Sequence, residues 1–346
     1  NHLYMHSLNL LMENNSVIQR GPTVHFLDHR ICHIQKLCFI NVSKKEKMIK
    51  LNRLISIILA FAFGILFSLK LFAAEPLVSV KWLNDNLTNN KLVVLDIRNK
   101  IDGGSKEAFE VGHIPQAVYS NYLEDGWRTT VDGIVGKLPP VKDLETLIGG
   151  LGINNDSHVI VVPGGVSSTD FGSASRVYWT FKVLGHNNVS ILDGGYAAWV
   201  HKLPTQIETG AANPITAIFK ADFQSKYLAT TEDVVNALAN NSSVLVDARP
   251  EEQFLGKSKS GKALAAGTIP GSFNLQQQTL VEENTSFFKD AITIAQLVKE
   301  VGIESTEGEI AFCNTGHWAT VSWFALSEVL GHENVKNYDG SMVEWT

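Results

Sequence analysis

Glu309-Ile-Ala-Phe312, Cys313-Asn-Thr-Gly-His-Trp318 and Ala319-Thr-Val-Ser-Trp-Phe-Ala-Leu326 form the stretch that decides the fold. A short aliphatic and aromatic run, a polar loop containing glycine and a longer apolar run predict strand, turn and helix in that order. In an open parallel sheet such a loop lies beyond the C-terminal end of its strand, where helix N-termini gather and ligands bind. Cys313 opens the loop. A thiolate there faces the positive end of the helix dipole and several unpaired backbone N–H groups, both of which stabilise an anionic sulfur. Gly316 supplies the freedom to turn those amides inward. The same cradle would hold the outer sulfur of a persulfide by hydrogen bonds, as amides hold an oxyanion.

Working outward, the chain contains a second copy of this pattern. Leu92-Val-Val-Leu-Asp96-Ile-Arg98 is matched by Val244-Leu-Val-Asp247-Ala-Arg249, and Gly112-His-Ile-Pro115 by Gly267-Thr-Ile-Pro270. Leu184-Gly-His-Asn-Asn-Val189, Asp193-Gly194 and Trp199 likewise precede Leu330-Gly-His-Glu-Asn-Val335, Asp339-Gly340 and Trp345. Matches in one order at nearly one spacing identify a duplicated domain. Helical patterns over 80–87 and 231–238 start at Ser or Thr caps and lead into the Asp-x-Arg strands, and Val159-Ile-Val-Val162 parallels Glu309-Ile-Ala-Phe312. This βα alternation predicts an α/β fold in which each domain is a mostly parallel open sheet with helices on both faces. The expected domains are 75–208 and 226–346, joined by a linker over 209–225 that follows from Gly210-Ala-Ala-Asn-Pro214.

Composition agrees with a core-forming chain: 45% of its 346 residues are hydrophobic and 18% charged. A formal net charge of -6 without a long basic run argues against a nucleic-acid surface, leaving small molecules or proteins as partners. Lys44, Lys45, Lys47, Lys50 and Arg53 precede an uncharged apolar run over 54–69, then Lys70 and the small Ala73 and Ala74. That order predicts a signal peptide over 48–74 and a periplasmic or secreted product without a stable membrane span. The run falls short of the roughly 20 residues a spanning helix needs, and an uncleaved inner-membrane anchor is the alternative. Met48 is a natural initiator for the signal, so residues 1–47 are expected to be upstream or leader sequence, taking Cys32 and Cys38 with them. The mature chain then holds one cysteine, either a buried filler or a reactive thiol.

The strand, the Cys-x-x-Gly loop and the helix, with Asp-x-Arg and Gly-x-Ile-Pro upstream and Leu-Gly-His, Asp-Gly and Trp downstream, resemble the rhodanese family over most of residues 77–346. The tandem arrangement is similar to thiosulfate and 3-mercaptopyruvate sulfurtransferases. The resemblance implies two rhodanese-like domains, an inactive first copy and a catalytic second copy. The first copy's loop, Pro163-Gly-Gly-Val-Ser-Ser168, agrees in having no cysteine. It implies a ping-pong cycle in which Cys313 takes sulfur from a small donor (thiosulfate, 3-mercaptopyruvate or polysulfide) and passes it to cyanide or a thiol, without metal or organic cofactor. Arg249 and the loop residues Asn314, Thr315, Gly316, His317 and Trp318 become substrate-binding candidates, with Asp247 fixing the loop.

Departures from the family pattern shape the expectations further. Asn314 and Thr315 are neutral where thiosulfate-type members carry a cation, and Gln253 replaces the family's second arginine, so thiosulfate recognition does not follow from the motif. His317 and Trp318 predict an aromatic, titratable rim suited to a bulky or protein-borne thiol acceptor. Each also has a plainer reading: His317 could bond a carbonyl, and Arg249 could tie its strand to a neighbouring loop through Asp247 or Glu252. Asp339 and Trp345 recur in the silent copy, which favours an architectural role.

Gly256-Lys-Ser-Lys-Ser-Gly261-Lys262 imitates a phosphate-binding loop, but Ala263 stands where Ser or Thr would hold Mg²⁺, so a solvated basic loop with a conceivable substrate-attracting role is expected. A cysteine phosphatase would need arginine six positions after its cysteine to grip the phosphoryl group, and position 319 is Ala. A non-enzymatic persulfide carrier and a purely structural tandem domain are the remaining alternatives to an enzyme.

Overall fold

The computed structural model describes Arg53, residues 74–304 and residues 308–346. The expected leader and signal segments, with Cys32 and Cys38, lie outside the described residues apart from Arg53 and Ala74. Among the described residues no helix is long and apolar enough to cross a membrane.

The first domain runs β1 (Leu77–Val78), α1 (Val80–Asn86), β2 (Leu92–Asp96), α2 (Lys106–Val111), β3 (Val118–Tyr119), β4 (Thr129–Val131), β5 (Ile134–Lys137), α3 (Val141–Gly150), β6 (His158–Val162), α4 (Ser168–Val183), β7 (Val189–Leu192) and α5 (Gly195–Lys202). The second runs β8 (Leu228–Ala229), α6 (Thr231–Asn240), β9 (Val244–Asp247), α7 (Glu251–Phe254), β10 (Phe273–Asn274), α8 (Ala291–Glu300), β11 (Glu309–Phe312), α9 (Ala319–Trp323), β12 (Val335–Tyr338) and α10 (Ser341–Trp345). Beyond Trp323 the last turns of α9 widen into a π-helix over Phe324–Val329.

Both main sheets are parallel and share one topology, β1-β7-β6-β2-β3 and β8-β12-β11-β9-β10. Corresponding strands even share register: Asp96 lies opposite Val162, and Asp247 opposite Phe312. The caps expected from sequence hold the first helices. Ser79 accepts the Trp82 amide, and Thr230 forms a reciprocal capping box with Asp233.

Strand alternation sends side chains to two faces, as it must in a sheet covered on both sides. Val94, Ile160 and Val162 meet α1 and α5 on the outer face, whereas Leu95, Val159 and Val161 meet α3 and α4 in a core shared with the second domain. Ile310 and Phe312 face α6 and α10, and Ala311 faces the shared core. The helices α4 and α9, which follow the two loops of interest, pack on each other in the middle of the molecule. Their burial explains why α9 carries no charged residue and bonds its two hydroxyls, Thr320 to the His317 carbonyl and Ser322 to the Leu275 carbonyl. Two polar residues of α4 reach the second domain: Ser175 Oγ lies 2.9 Å from Thr320 Oγ1, and Arg176 forms an ion pair with Asp339 at 2.5 Å.

Candidate functional site

The two Asp-x-Arg motifs are structural ties. Arg249 Nε bonds both carboxylate oxygens of Asp247 at 2.9 and 3.1 Å, and its Nη2 reaches the Gly267 carbonyl at 2.8 Å. Arg98 repeats the pattern with Asp96 and the Gly112 carbonyl. Each arginine thus joins its strand end to the Gly-x-Ile-Pro turn. Arg249 is fully buried and does not line the cavity over Cys313, so the structure does not bring it together with the loop candidates.

Cys313 sits where the strand β11 ends, 1% exposed, at a cavity of about 480 Å³. Asn314, Thr315, His317 and Trp318 line that cavity with it. Gly316 does not line it but makes the turn, at φ +70°, and a Cβ there would press on the Asp339 carbonyl and the Arg176 guanidinium. The loop is fixed from below by Ser341, whose Oγ accepts the amides of Cys313 and Gly316, both at 3.0 Å, and donates to the Tyr338 carbonyl at 2.8 Å. Ser341 itself sits at φ +50°, a conformation that costs about 1–3 kcal/mol outside glycine and is held here by three hydrogen bonds. The amides of Asn314, Thr315, His317 and Trp318 find no acceptor among the described residues. Loop amides without acceptors beside a cysteine are a setting for a bound anion or an anionic sulfur.

The first domain closes the other side. Arg128 Nη2 donates to the Thr315 carbonyl at 2.9 Å and to Thr315 Oγ1 at 3.0 Å, and Arg176 Nη1 to the Gly316 carbonyl at 2.8 Å. Guanidinium groups of the first domain thus take up the carbonyls of Thr315 and Gly316. Gly136 makes this approach possible, since a Cβ at its φ of +87° would fall on the Arg128 guanidinium. The hairpin of β4 and β5 continues the contact: Lys137 pairs with Glu344 at 2.7 Å, and the Leu138 amide donates to Asp339 at 2.5 Å.

His317 departs from the expected titratable rim. It is buried, its Nε2 donates to the Thr169 carbonyl at 2.9 Å, and its Nδ1 accepts from the Tyr122 hydroxyl at 2.7 Å. A carbonyl can only accept, so Nε2 carries a proton and the neutral ring is the Nε2–H tautomer. Burial, helped by the positive charge of Arg128, pushes its pKa down to about 3. His317 is a neutral brace between domains. Trp318 remains at the cavity wall, its Nε1 donating to Thr169 Oγ1 at 3.2 Å.

Sequence reasoning missed Arg128, Ser341 and most of Lys262's significance. Ser260 and Lys262 come from the loop that imitates a phosphate-binding motif and line the cavity wall. Gln253, standing where the family has arginine, instead accepts from Asn314 Nδ2 at 2.9 Å and so orients that loop residue.

Comparison with known proteins then places the chain. The Rhodanese-like domain family matches twice, over residues 79–202 and 230–346. The chain belongs to the rhodanese family. A thiosulfate sulfurtransferase of Rattus norvegicus is 32% identical over 283 residues, covering 78% of this chain and 92% of that protein. One of Gallus gallus is 30% identical over 278 residues, covering 78% and 93%. Among solved structures, the 3-mercaptopyruvate sulfurtransferase SseA from Escherichia coli aligns with a TM-score of 0.69 at 27% identity, covering 78% of this chain and 99% of SseA. The tandem rhodanese architecture expected from the repeats is therefore established for this chain.

Proposed function

We propose that this rhodanese-family chain is a sulfurtransferase that carries sulfur as a persulfide on Cys313. The observation that supports this best is the pairing of a nucleophilic residue type with a waiting cradle. Cys313 ends a central strand at the floor of the cavity, and four loop amides around it have no acceptor. With thiosulfate as donor, the Cys313 thiolate attacks the outer sulfur, an S–S bond forms to the enzyme, and the donor's S–S bond breaks with its electron pair leaving on sulfite. Cyanide or a thiolate acceptor then attacks the terminal sulfur and returns the thiolate. Charge balances in each half without a proton donor, so the neutral, doubly bonded His317 needs no acid–base role. The residues' work is orientation and anion stabilisation: Ser341 fixes the loop, Gln253 fixes Asn314, and the free amides meet the terminal sulfur.

Incubation of the purified protein with thiosulfate, 3-mercaptopyruvate or polysulfide, then cyanide, should release thiocyanate, and Cys313→Ser should release none. A gain of one sulfur on Cys313 without turnover would replace the enzyme with a persulfide carrier. No gain with any donor would end both readings. The basic-then-apolar order of residues 44–69 supports export of the enzyme to the periplasm, with inner-membrane anchoring as the alternative, and fractionation with N-terminal sequencing of the mature chain tests this.

A further inference from the structure

Next to the Cys313 loop, and outside the lining of its cavity, a buried ion pair joins the two domains. Arg176 of α4 and Asp339, which follows β12, meet at 2.5 Å with side chains 0% and 1% exposed. An apolar pair of similar volume commonly holds a core as well or better, so stability alone does not account for buried charge here. The bonds around the pair suggest what does. Arg176 Nη1 donates to the Gly316 carbonyl at 2.8 Å and Nη2 to the Gly136 carbonyl at 3.0 Å, and the guanidinium lies 4.6 Å from the Trp179 ring centroid. The Gly316 carbonyl belongs to the same peptide unit as the His317 N–H, one of the loop amides without an acceptor. On the other side of Gly316, its own amide is held by Ser341. That residue is therefore gripped at both its N–H and its C=O, which fixes the plane in which the His317 amide points. A cation bonded to the carbonyl also withdraws electron density from the peptide nitrogen, and in a low-dielectric interior such linked bonds strengthen one another. The reach runs one way: neither α9 nor the π-helix beyond it contains arginine, and Asp193, the counterpart of Asp339, accepts the Phe288 amide at 3.0 Å.

We propose that Arg176 is a positioning residue for the chemistry of Cys313: through the Gly316 carbonyl it orients and polarises the His317 amide as a donor to the anionic sulfur, and Asp339 sets how much of the arginine's charge the loop feels. This rests on the sulfurtransferase reading of Cys313. Arg176 touches neither donor nor acceptor in this role. The cysteine-free domain contributes by strengthening an amide of its neighbour. The two members of the ion pair then act in opposite senses, the guanidinium favouring negative charge on sulfur and the carboxylate tempering that effect.

The test follows alkylation of Cys313 by uncharged iodoacetamide across pH in the full-length wild type, Arg176→Gln, Arg176→Lys and Asp339→Asn, a readout that requires no sulfur transfer. Its rate tracks the thiolate fraction. The midpoint of the profile should rise by about half a pH unit or more in Arg176→Gln, whose amide can still bond the carbonyl without charge, and return part of the way in Arg176→Lys. In Asp339→Asn it should fall, since the guanidinium is no longer neutralised. A mere interdomain brace predicts instead that both losses slow alkylation without moving the midpoint, or move it in the same direction. Either result overturns the proposal. If Arg176→Gln does not fold by circular dichroism, Asp339→Asn decides alone, and a midpoint that fails to fall overturns the proposal as well. With thiosulfate, kcat should drop in Arg176→Gln while KM stays within about twofold, because Arg176 lies outside the cavity lining. Midpoints that move in opposite directions in protein that never gains sulfur keep the hold of Arg176 on the loop and remove the sulfurtransferase reading instead.

Discussion

The loop Pro163–Ser168 and the loop Cys313–Trp318 occupy the same place in two copies of one sheet, and what differs is how their amides are satisfied. In the first copy the buried carboxylate of Asp170, from the helix that follows, folds back over the loop. It accepts the amides of Gly164, Gly165 and Val166 at 3.0, 2.5 and 3.0 Å. Aligned through the shared register, the second copy has Thr320 in place of Asp170, and its hydroxyl turns away to the His317 carbonyl at 2.7 Å. The silent cradle holds an anion made from its own chain, and the other is left open beside a cysteine. In the first copy, then, this loop receives a carboxylate through three of its amides. The first copy's loop thus differs by more than the absence of a cysteine, because its amides are already taken by Asp170.

The strongest way to break this comparison is to remove the filling. Asp170→Ala would leave three amides without their acceptor, and buried unsatisfied groups cost about 1–3 kcal/mol each, offset in part by the carboxylate's own desolvation. Burial raises the pKa of Asp170, and burial with repulsion from Asp170 pushes neighbouring Asp102 up to about 7, so part of the cost of confinement is already present in the wild type. A net loss of about 3 kcal/mol in urea unfolding is the expected result, with Asp170→Asn losing less because its amide oxygen still accepts. A variant as stable as wild type would mean that the carboxylate does not hold the loop.

A second difference sharpens the comparison at the other loop. Ser341 at φ +50° corresponds to Gly195 at φ +59° in the silent copy, so only the active copy accepts backbone strain to place a hydroxyl under its loop. Ser341→Gly would relieve the strain and delete the acceptor for the Cys313 and Gly316 amides. Stability should stay within about 1 kcal/mol of wild type while persulfide formation slows about tenfold, since loop orientation and not folding is what the hydroxyl secures. Ser341→Ala, which keeps the strain and loses the bonds, should be less stable than Ser341→Gly. Unchanged sulfur loading in Ser341→Gly would reduce the serine to a turn residue.

These residues also mark the limit of what the sequence discloses. The repeated Asp-x-Arg strands, the Gly-x-Ile-Pro turns and the loop carrying Cys313 are local patterns whose periodicity and turn chemistry act within a few residues, and they were legible. Arg128 meets Thr315 across 187 residues of chain, and nothing in its neighbourhood announces that partner. Ser341 follows an Asp-Gly pair visible in both copies, yet its role depends on a positive φ that a sequence of L-residues does not advertise. Arg249 was ambiguous for a different reason, since an arginine two residues after an aspartate suits either an internal ion pair or an anionic ligand. The structure shows the ion pair, and it leaves Arg249 buried and away from the cavity lining. The basic loop ending in Lys262 had the opposite fate: a misleading motif on paper, it reaches the cavity through tertiary packing.

His317 gives the effect that is smallest at neutral pH and the one most exposed to acid. In the silent copy its counterpart is Ser167, an N-cap that accepts the Asp170 amide at 3.2 Å, so the histidine is peculiar to the open cradle. Its folded pKa of about 3 lies below the unfolded value near 6.5. Between those values the unfolded chain binds a proton that the folded chain refuses. Stability is therefore complete above about pH 6.5 and declines as pH falls toward 3, with a limiting slope of about 1.4 kcal/mol per pH unit. His158, pushed down to about 4, and His186, also lowered, both chiefly by burial, act in the same direction, so the wild-type profile alone would not identify His317. His317→Gln separates them, because a glutamine amide can accept from Tyr122 and donate to Thr169 without a titratable proton. Urea unfolding from pH 7 to 4 should show the variant losing less stability than wild type, the gap widening as pH falls. Parallel curves would mean that His317 escapes its confinement in solution and takes up a proton at the cavity wall.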